Sequence, residues 1–548
     1  MFVRTQTTGS RTYLLIVENQ RVEGRIRQRV LHRLGRLDQL LASGQLDGLL
    51  ASLGRFSEKY AVLGAHRNGD SITVTTTKIG PPLLFDRLWR QCGLEAVLSG
   101  LLRQRQFEFP VERAVFVTVL HRLVAPGSDR AAEKWKQDYA IPGAERLALH
   151  HLYRAMAWLG EPLSGDEQAG ATPWAPRTTK DLIEEGLFGR RRDLFTTLDI
   201  VFFDTTSIYF EGQGGETLGR YGKSKDHRSD RQQMVVGLVL DHDGYPVSSE
   251  MWPGNASDLK ALVPVVERLK SRFRIGEVCI VADGGMISGA AIQGLEQRQW
   301  KYILGVRMRQ SKEAKQEVLS RAGRYEEVRP SRGDRQDPAP LKVKQVEVEG
   351  RRYIVCLNPD QVEQDRRDRE AIVGALQEAL KRGDKSLVGN KGYRLYLKTV
   401  GERFAIDEAK IEREARYDGK WVLRTNTDLP AAEVALKYKQ LWMVEEMFRS
   451  MKSVLETRPI YHQSDQAIRG HVFCSFLALL LRRELEQRLE RGGRRCEWAD
   501  VIRDLDSLEE IELELDGKRY RLRSVAKGTT GEVFQACGVA LPPVLRPC

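Results

Sequence analysis

The chain has 548 residues, enough for three or four cores at roughly 100–200 residues per domain, so it reads as a multidomain protein. Hydrophobic residues make up 41% and charged residues 30%, which excludes wholesale disorder and fibrous repeats. Lysine and arginine number 87 against 75 aspartates and glutamates, a formal charge of +12 that fits a polyanionic partner without identifying one.

The start, MFVRTQTTGSRTYLLIVENQ, shows no apolar h-region and no small-residue cleavage site, so no secretory signal is expected and the cytosol is the expected compartment. Thr12 to Glu18 and Arg25 to Arg33 read as short strands and Leu37 to Leu41 as a small helix, within a small β-containing segment over 1–80 that is rich in arginine. From about Phe85, apolar residues recur at three- and four-residue steps in LFDRLWRQCGLEAVLSGLL, VERAVFVTVLHRLV and LALHHLYRAMAWLG. That periodicity predicts a helical module over 81–197, a kind of unit that often binds DNA.

At Leu198 the pattern changes. LDIVFFDTT and MVVGLVLD read as buried strands, DHDGYP as a hairpin turn and VSSEMW as a third strand. A helix over SDLKALVPVVERLKSR, capped by Ser257 or Asp258, then leads to the strand VCIVAD, the helix GAAIQGLEQRQW and the strand KYILGVRM. Three antiparallel strands followed by helix, strand, helix, strand is the order of a ribonuclease H-like core, so the expected fold class is α/β. Residues 198–310 supply the first part of that core.

Residues 311–425 are more charged, with strands LKVKQVEVEG, RRYIVCLN and YRLYLKTV, the helix PDQVEQDRRDREAIVGALQEALKRG and the loop PSRGDRQDPAPL. They predict an inserted, β-rich α+β domain interrupting the core. Helical periodicity returns at Ala431 and gives the second part of the core over 426–490, which includes the helix YKQLWMVEEMFRSMK. Within it, the apolar run Phe473 to Leu481 is too short to span a bilayer, so no membrane association is expected. Residues 491–548, with the helix WADVIRDLDSL and a hairpin turning at Asp516-Gly517, read as an accessory tail. No internal repeat is evident. The seven cysteines are scattered and form no CxxC pair, and the nine histidines show no paired spacing, which argues against a disulfide framework and a zinc site.

Asp204 and Asp283 each close a predicted strand of one sheet. Side chains at the ends of adjacent strands converge, and converging carboxylates repel unless a cation sits between them. Either one alone reads more readily as a cap or turn residue; for the pair, with strand and helix patterns of the right order between them, the balance reverses. In YKQLWMVEEMFRSMK, at about 100° per residue, Tyr438, Glu445, Arg449 and Lys452 fall on one stripe. Glu445 and Arg449 could equally form an exposed ion pair one turn apart. The loop Arg220 to Gln233 sets five Lys or Arg against two Asp, which suits contact with a phosphate backbone through Lys223, Lys225, Arg228 and Arg231, or a solvated loop. Asp241 and Asp243 read as turn residues, and His462 and His471 as packing or capping residues.

Taken together, FDTTSIYFEG, YGKSKDHRSD, GLVLDHDGYPVSSEMWPGNASD and YKQLWMVEEMFRSMKSVLETRPIYH resemble the DDE transposases of bacterial insertion sequences, in the insertion-sequence-four-like group with a domain inserted before the Glu. The resemblance covers about residues 198–482. The group's Tyr-x2-Arg-x3-Glu-x6-Lys signature falls on Tyr438, Glu445 and Lys452; its Arg position is Leu441 here, with Arg449 on the same stripe as a substitute. The resemblance implies that Asp204, Asp283 and Glu445 are catalytic and bind two Mg2+ ions, for which Mn2+ can substitute. It also implies that Tyr438 and Lys452 hold a phosphate. The implied partners are the double-stranded DNA of the element ends and the target, acted on by a homodimer in the bacterial cytoplasm. The implied reaction is hydrolysis of a phosphodiester bond and transfer of the 3′-hydroxyl ends. A nuclease or resolvase on the same core, and a DNA-binding derivative without catalysis, are the alternatives.

Overall fold

The computed structural model describes residues 1–22, 25–54, 73–168, 171, 175–191, 200–256, 262–273, 275, 278–328, 341–382, 393–400, 403–515 and 518–547. The expected caps Ser257 and Asp258, the turn Asp516-Gly517 and nearly all of the loop PSRGDRQDPAPL lie outside them. The chain divides into two units, one made of Met1–Gly80, Asp138–Ala140 and Glu497–Cys548, the other of Pro81–Gln137 and Ile141–Cys496.

In the first unit, β1 (Phe2–Thr8), β2 (Arg11–Val22) and β3 (Arg25–Arg36) form an antiparallel sheet, followed by the short helices α1 (Leu37–Ala42) and α2 (Gln45–Gly54). β1 is exposed along its whole length, so no alternation marks it in the sequence. β4 (Thr73–Lys78) pairs with Glu509–Leu515, which pairs with Lys518–Arg523 and then Leu545–Pro547. The C-terminal residues are therefore no mere tail: they complete a sheet begun at β4. Opposite charges across the strands, Arg521 with Glu512 at 3.2 Å and Arg546 with Glu510 at 2.8 Å, support that register.

The second unit joins a helical layer to one large sheet. The layer comprises α3 (Gly80–Gln91), α4 (Leu94–Leu102), α5 (Val111–Val124), α6 (Asp129–Trp135), α7 (Leu149–Leu159) and α8 (Thr179–Arg191). The sheet runs β10-β11-β12-β15-β9-β8-β5-β6-β7, from β5 (Ile200–Tyr209), β6 (Gln233–Leu240), β7 (Pro246–Pro253), β8 (Cys279–Ala282), β9 (Lys301–Val306), β10 (Glu326–Val328), β11 (Leu341–Val348), β12 (Arg351–Leu357) and β15 (Lys420–Thr425). Among β7, β6, β5, β8 and β9, the β6 strand alone runs against its neighbours. With the crossover helices α9 (Leu262–Phe273) and α10 (Gly289–Gln297), that order is a ribonuclease H-like core.

The expected separate domain over 311–425 needs correction. Its strands β10, β11, β12 and β15 continue the core sheet, because β15 pairs antiparallel with β9, with Val422 opposite Val306. Only α11 (Pro359–Lys381), the hairpin β13 (Leu397–Val400) with β14 (Arg403–Ile406), and α12 (Glu408–Ala415) gather around their own small apolar cluster at Leu376 and Tyr396. Periodicity reports which face of a strand is buried and not which strand it pairs with, so an edge extension and a separate sheet look alike in sequence.

Three further helices, α13 (Ala431–Lys439), α14 (Trp442–Arg449) and α15 (Asp465–Arg491), return to the core. α15 packs against α5 and α7, and its run Phe473 to Leu481 is apolar because it is buried there. Gly470 permits the crossing with α7, since a Cβ at that position would lie 1.9 Å from the Met156 carbonyl oxygen. Among the described residues, no helix is long and apolar enough to cross a membrane.

Below α8 lies a buried ionic cluster that the sequence did not announce. Lys180, Asp181 and Glu184 of α8 meet Arg268 and Arg272 of α9 and Glu250 of β7, each with a side chain no more than 5% exposed. Burial alone would raise the Asp181 pKa, yet Lys180, Arg272 and Arg268 hold it well below the usual carboxylate range.

Candidate active site

β5 and β8 are parallel, and their last paired residues are Phe203 and Ala282. The next residue on each is an aspartate, so the register sets Asp204 and Asp283 side by side at one end of that pairing. Asp283 follows β8 and caps the next turn, its Oδ2 accepting the Gly285 N–H at 3.0 Å. Asp204, expected at a strand end, lies within β5, which continues to Tyr209 by pairing with β6. Its Oδ1 accepts the Thr205 N–H at 2.7 Å, and the Lys225 ammonium stands 3.8 Å away. The side chain is 17% exposed. Burial, reinforced by the charges of Asp283 and Glu445 and opposed by Lys225 and the Thr205 N–H, raises its pKa to about 6.

The Tyr438 hydroxyl, on α13, donates to Asp283 Oδ1 at 3.0 Å. Gly305 makes room for the phenol, because a Cβ there would come within 2.4 Å of its oxygen. Burial first, then Asp283, Asp204 and Glu445, push the phenol pKa far above its ordinary value. Glu445 sits exposed in the first turn of α14, which packs on β5 and β6 through an inner face that includes Val444 and Phe448. Asp204, Asp283, Glu445 and Tyr438 thus share one electrostatic neighbourhood. The three carboxylates share a field without closing on one point: among the described residues, their oxygens do not all three lie within 4.8 Å of one another. Asp204 and Asp283 are each held by donors of their own, which fits like charges that repel.

The single helical stripe expected over Tyr438 to Lys452 is not continuous. α13 ends at Lys439, a turn at Gln440 and Leu441 intervenes, and α14 gives way to a π-turn over Ser450–Val454. Constant rotation of about 100° per residue fails across both irregularities. Tyr438 and Glu445 still face the aspartates, whereas Lys452 turns away into a pair with Asp226 at 2.7 Å, with 11% of its side chain exposed. Burial lowers the Lys452 pKa against the pull of Asp226. Arg449 is exposed and has no ion pair among the described residues, and Leu441, at the signature's usual Arg position, is buried against the core.

The basic loop splits into paired and open cations. Arg228 binds Asp230 at 2.9 Å, and Arg231 binds Glu211 at 2.7 Å. Lys225 donates to Thr205 Oγ1 at 3.0 Å and to the Thr205 carbonyl, while its own N–H binds Ser207 Oγ at 2.7 Å. Lys223 is exposed and lines a cleft of about 520 Å³ with Asp283, Tyr438, Arg307 and Arg309. Sequence reasoning passed over Asp226, Arg307 and Arg309; the only available signal was an aspartate inside a basic loop. Asp241 accepts the N–H groups of Asp243 and Tyr245, as a turn residue does.

Asp129, His462 and His471, by contrast, gather their ligand atoms within 4.8 Å. The group does not suit a metal ion, because both ring nitrogens of His471 are engaged. Nδ1 accepts from Arg122 at 2.8 Å and Nε2 donates to the Thr457 carbonyl at 3.0 Å, while His462 Nε2 meets Asp129 at 3.1 Å. The neighbouring His121 is pushed down to about 4 by burial, aided by the Arg122 charge and opposed by Asp129. A histidine neutral when folded and protonated when unfolded contributes stability that is present above its ordinary pKa of 6.5 and is lost as pH falls through 4. Acidification across that window should therefore cost about 3 kcal/mol from His121 alone, read as a falling urea midpoint, and His121→Gln should flatten the slope.

Residues 196–481 match the family model for the transposase DDE domain, and residues 2–65 match that for the IS1634 family transposase N-terminal domain. The first match spans more than half of the chain, which belongs to the DDE transposases. The second places it among those of insertion sequences. No curated protein matches it. Among solved structures, a chain of the "Cryo-EM structure of piggyBac transposase synaptic complex with hairpin DNA" is similar at a TM-score of 0.37 and 11% identity, covering 77% of this chain and 76% of that one.

Proposed function

We propose that this transposase binds the ends of its own insertion sequence, hydrolyses the phosphodiester bond there and transfers the 3′-hydroxyl ends to target DNA. The observation that supports this most is the shared field of Asp204, Asp283 and Glu445, with the Tyr438 hydroxyl on Asp283, inside the segment that matches the DDE domain. Three carboxylates, one of them with a raised pKa, are a hard-oxygen donor set of the kind Mg2+ or Mn2+ takes, and these residues would hold two such ions. Bound there, the ions would supply activation of the attacking oxygen and stabilisation of the leaving one. Tyr438 orients the Asp283 carboxylate, and Lys223, Arg307 and Arg309 line the adjoining cleft, where a phosphate backbone meets positive charge.

Gel-shift and cleavage assays on the same end fragments test the reading. Chelation of divalent ions should abolish cleavage while end DNA at saturating protein stays bound, and cleavage that survives chelation would overturn it. Tyr438→Phe removes the hydrogen bond to Asp283 and should slow single-turnover cleavage about tenfold, with DNA affinity unchanged. The protein acts as a homodimer on DNA in this reading. A Glu445→Ala subunit mixed with one altered at Arg25, Arg27 and Arg29 should then recover cleavage in trans, and absence of recovery would place cleavage in cis.

A further inference from the structure

Two successive residues of the basic loop form ion pairs of opposite sense, Lys225 with an acid of the proposed site and Asp226 with two cations. Lys225 sets its ammonium 3.8 Å from Asp204 Oδ1, steadied by Thr205. Asp226 takes different partners: with 6% of its side chain exposed, its Oδ1 receives both Lys452 at 2.7 Å and the Arg458 guanidinium. Its Oδ2 is buried and has no hydrogen-bond partner among the described residues. A carboxylate held by two cations through one oxygen is only half satisfied, so its release costs less than that of a fully bonded one. A phosphate, with more acceptor oxygens, can satisfy both cations at once. Lys225 occupies the electrostatic position of a cation at Asp204, and Asp226 that of a phosphate oxygen at Lys452 and Arg458.

We propose that the Lys225-Asp226 pair is an internal stand-in for metal ion and DNA phosphate, so that a DNA phosphate taking Lys452 and Arg458 from Asp226 frees the loop, withdraws Lys225 from Asp204 and raises metal affinity. The inference rests on the site proposed above. It makes metal loading and DNA binding mutually favourable, and linkage requires each to strengthen the other by the same factor.

Calorimetric titration of Mn2+ into the whole chain, with and without end DNA, tests it. In the unaltered protein, DNA should raise Mn2+ affinity. Lys225→Met should raise Mn2+ affinity without DNA by roughly five- to tenfold, an interaction of this size being expected for a half-exposed charge, and should remove most of the gain given by DNA. Asp226→Asn should tighten DNA binding several-fold and steepen its salt dependence, as two cations become available to phosphate. Unchanged or weaker Mn2+ binding by a folded Lys225→Met protein, or weaker DNA binding by Asp226→Asn, overturns the proposal. Should Asp226→Asn fail to fold, Lys225→Met alone decides. Asp204→Asn separates the two levels: if it leaves Mn2+ binding intact, the metal site itself is wrong, and if it abolishes binding while Lys225→Met changes nothing, only the stand-in fails.

Discussion

Asparagine in place of Asp204 or Asp283, or glutamine in place of Glu445, should leave end DNA bound within about twofold when binding is read without divalent ions, and with Mg2+ should cut at least about a thousandfold more slowly, a loss of about 4 kcal/mol of transition-state stabilisation. The asymmetry follows from where the charges sit. Affinity comes from cations that meet phosphates, while these three side chains are anions whose removal weakens only the hold on divalent ions. The substitutions preserve shape, and in Asp204→Asn the amide oxygen can still accept the Thr205 N–H that the carboxylate accepts now. Gel-shift, cleavage and thermal melting on one preparation read the result. Loss of binding in step with cleavage would mean that the residues hold the fold and not the reaction.

The second large effect concerns stability. Arg272→Met should destabilise the protein by about 3–5 kcal/mol, because removing one member of a buried ionic cluster leaves its partners charged and unpaired. Arg272 is 1% exposed and binds Glu184 at 2.7 Å, Glu185 at 2.8 Å and Asp181 at 3.0 Å. Glu250, whose pKa burial raises, is already the least compensated acid of the group and should take up a proton in the variant. As a control, Arg367→Met removes an exposed pair with Glu363 and should change stability by less than about 0.5 kcal/mol. Urea unfolding of both variants makes the comparison, and equal effects would show that the cluster is no more than another surface network.

What could be read from the sequence was what a local pattern encodes. IVFFDTT and CIVA lie in buried strands, and their apolar runs announce both the strands and the aspartates at or beside them. Asp283 behaves as a residue at a strand end, while Asp204 stays within β5 because pairing with β6 carries the strand onward. The turn at Gln440 and Leu441 contains neither proline nor glycine, so nothing local interrupts the helical pattern there. Pairings over long separations leave no local trace either. Nothing near Lys452 in sequence shows that Asp226, far back in the chain, pairs with it, and nothing near Lys180, Asp181 and Glu184 shows that α9 and β7 cover them.

The most direct test of the central claim is a strand-transfer assay in which the purified chain, Mg2+, a pair of DNA fragments carrying the element's ends and a target plasmid are combined, and the DNA products are separated by size. Fragments cut at the element boundary and covalently joined to the plasmid through their 3′ ends are the expected products, absent with Glu445→Gln. Cut fragments that never join would make the protein a nuclease or resolvase on the same core, and bound but uncut fragments in the presence of Mg2+ would contradict an active catalytic site.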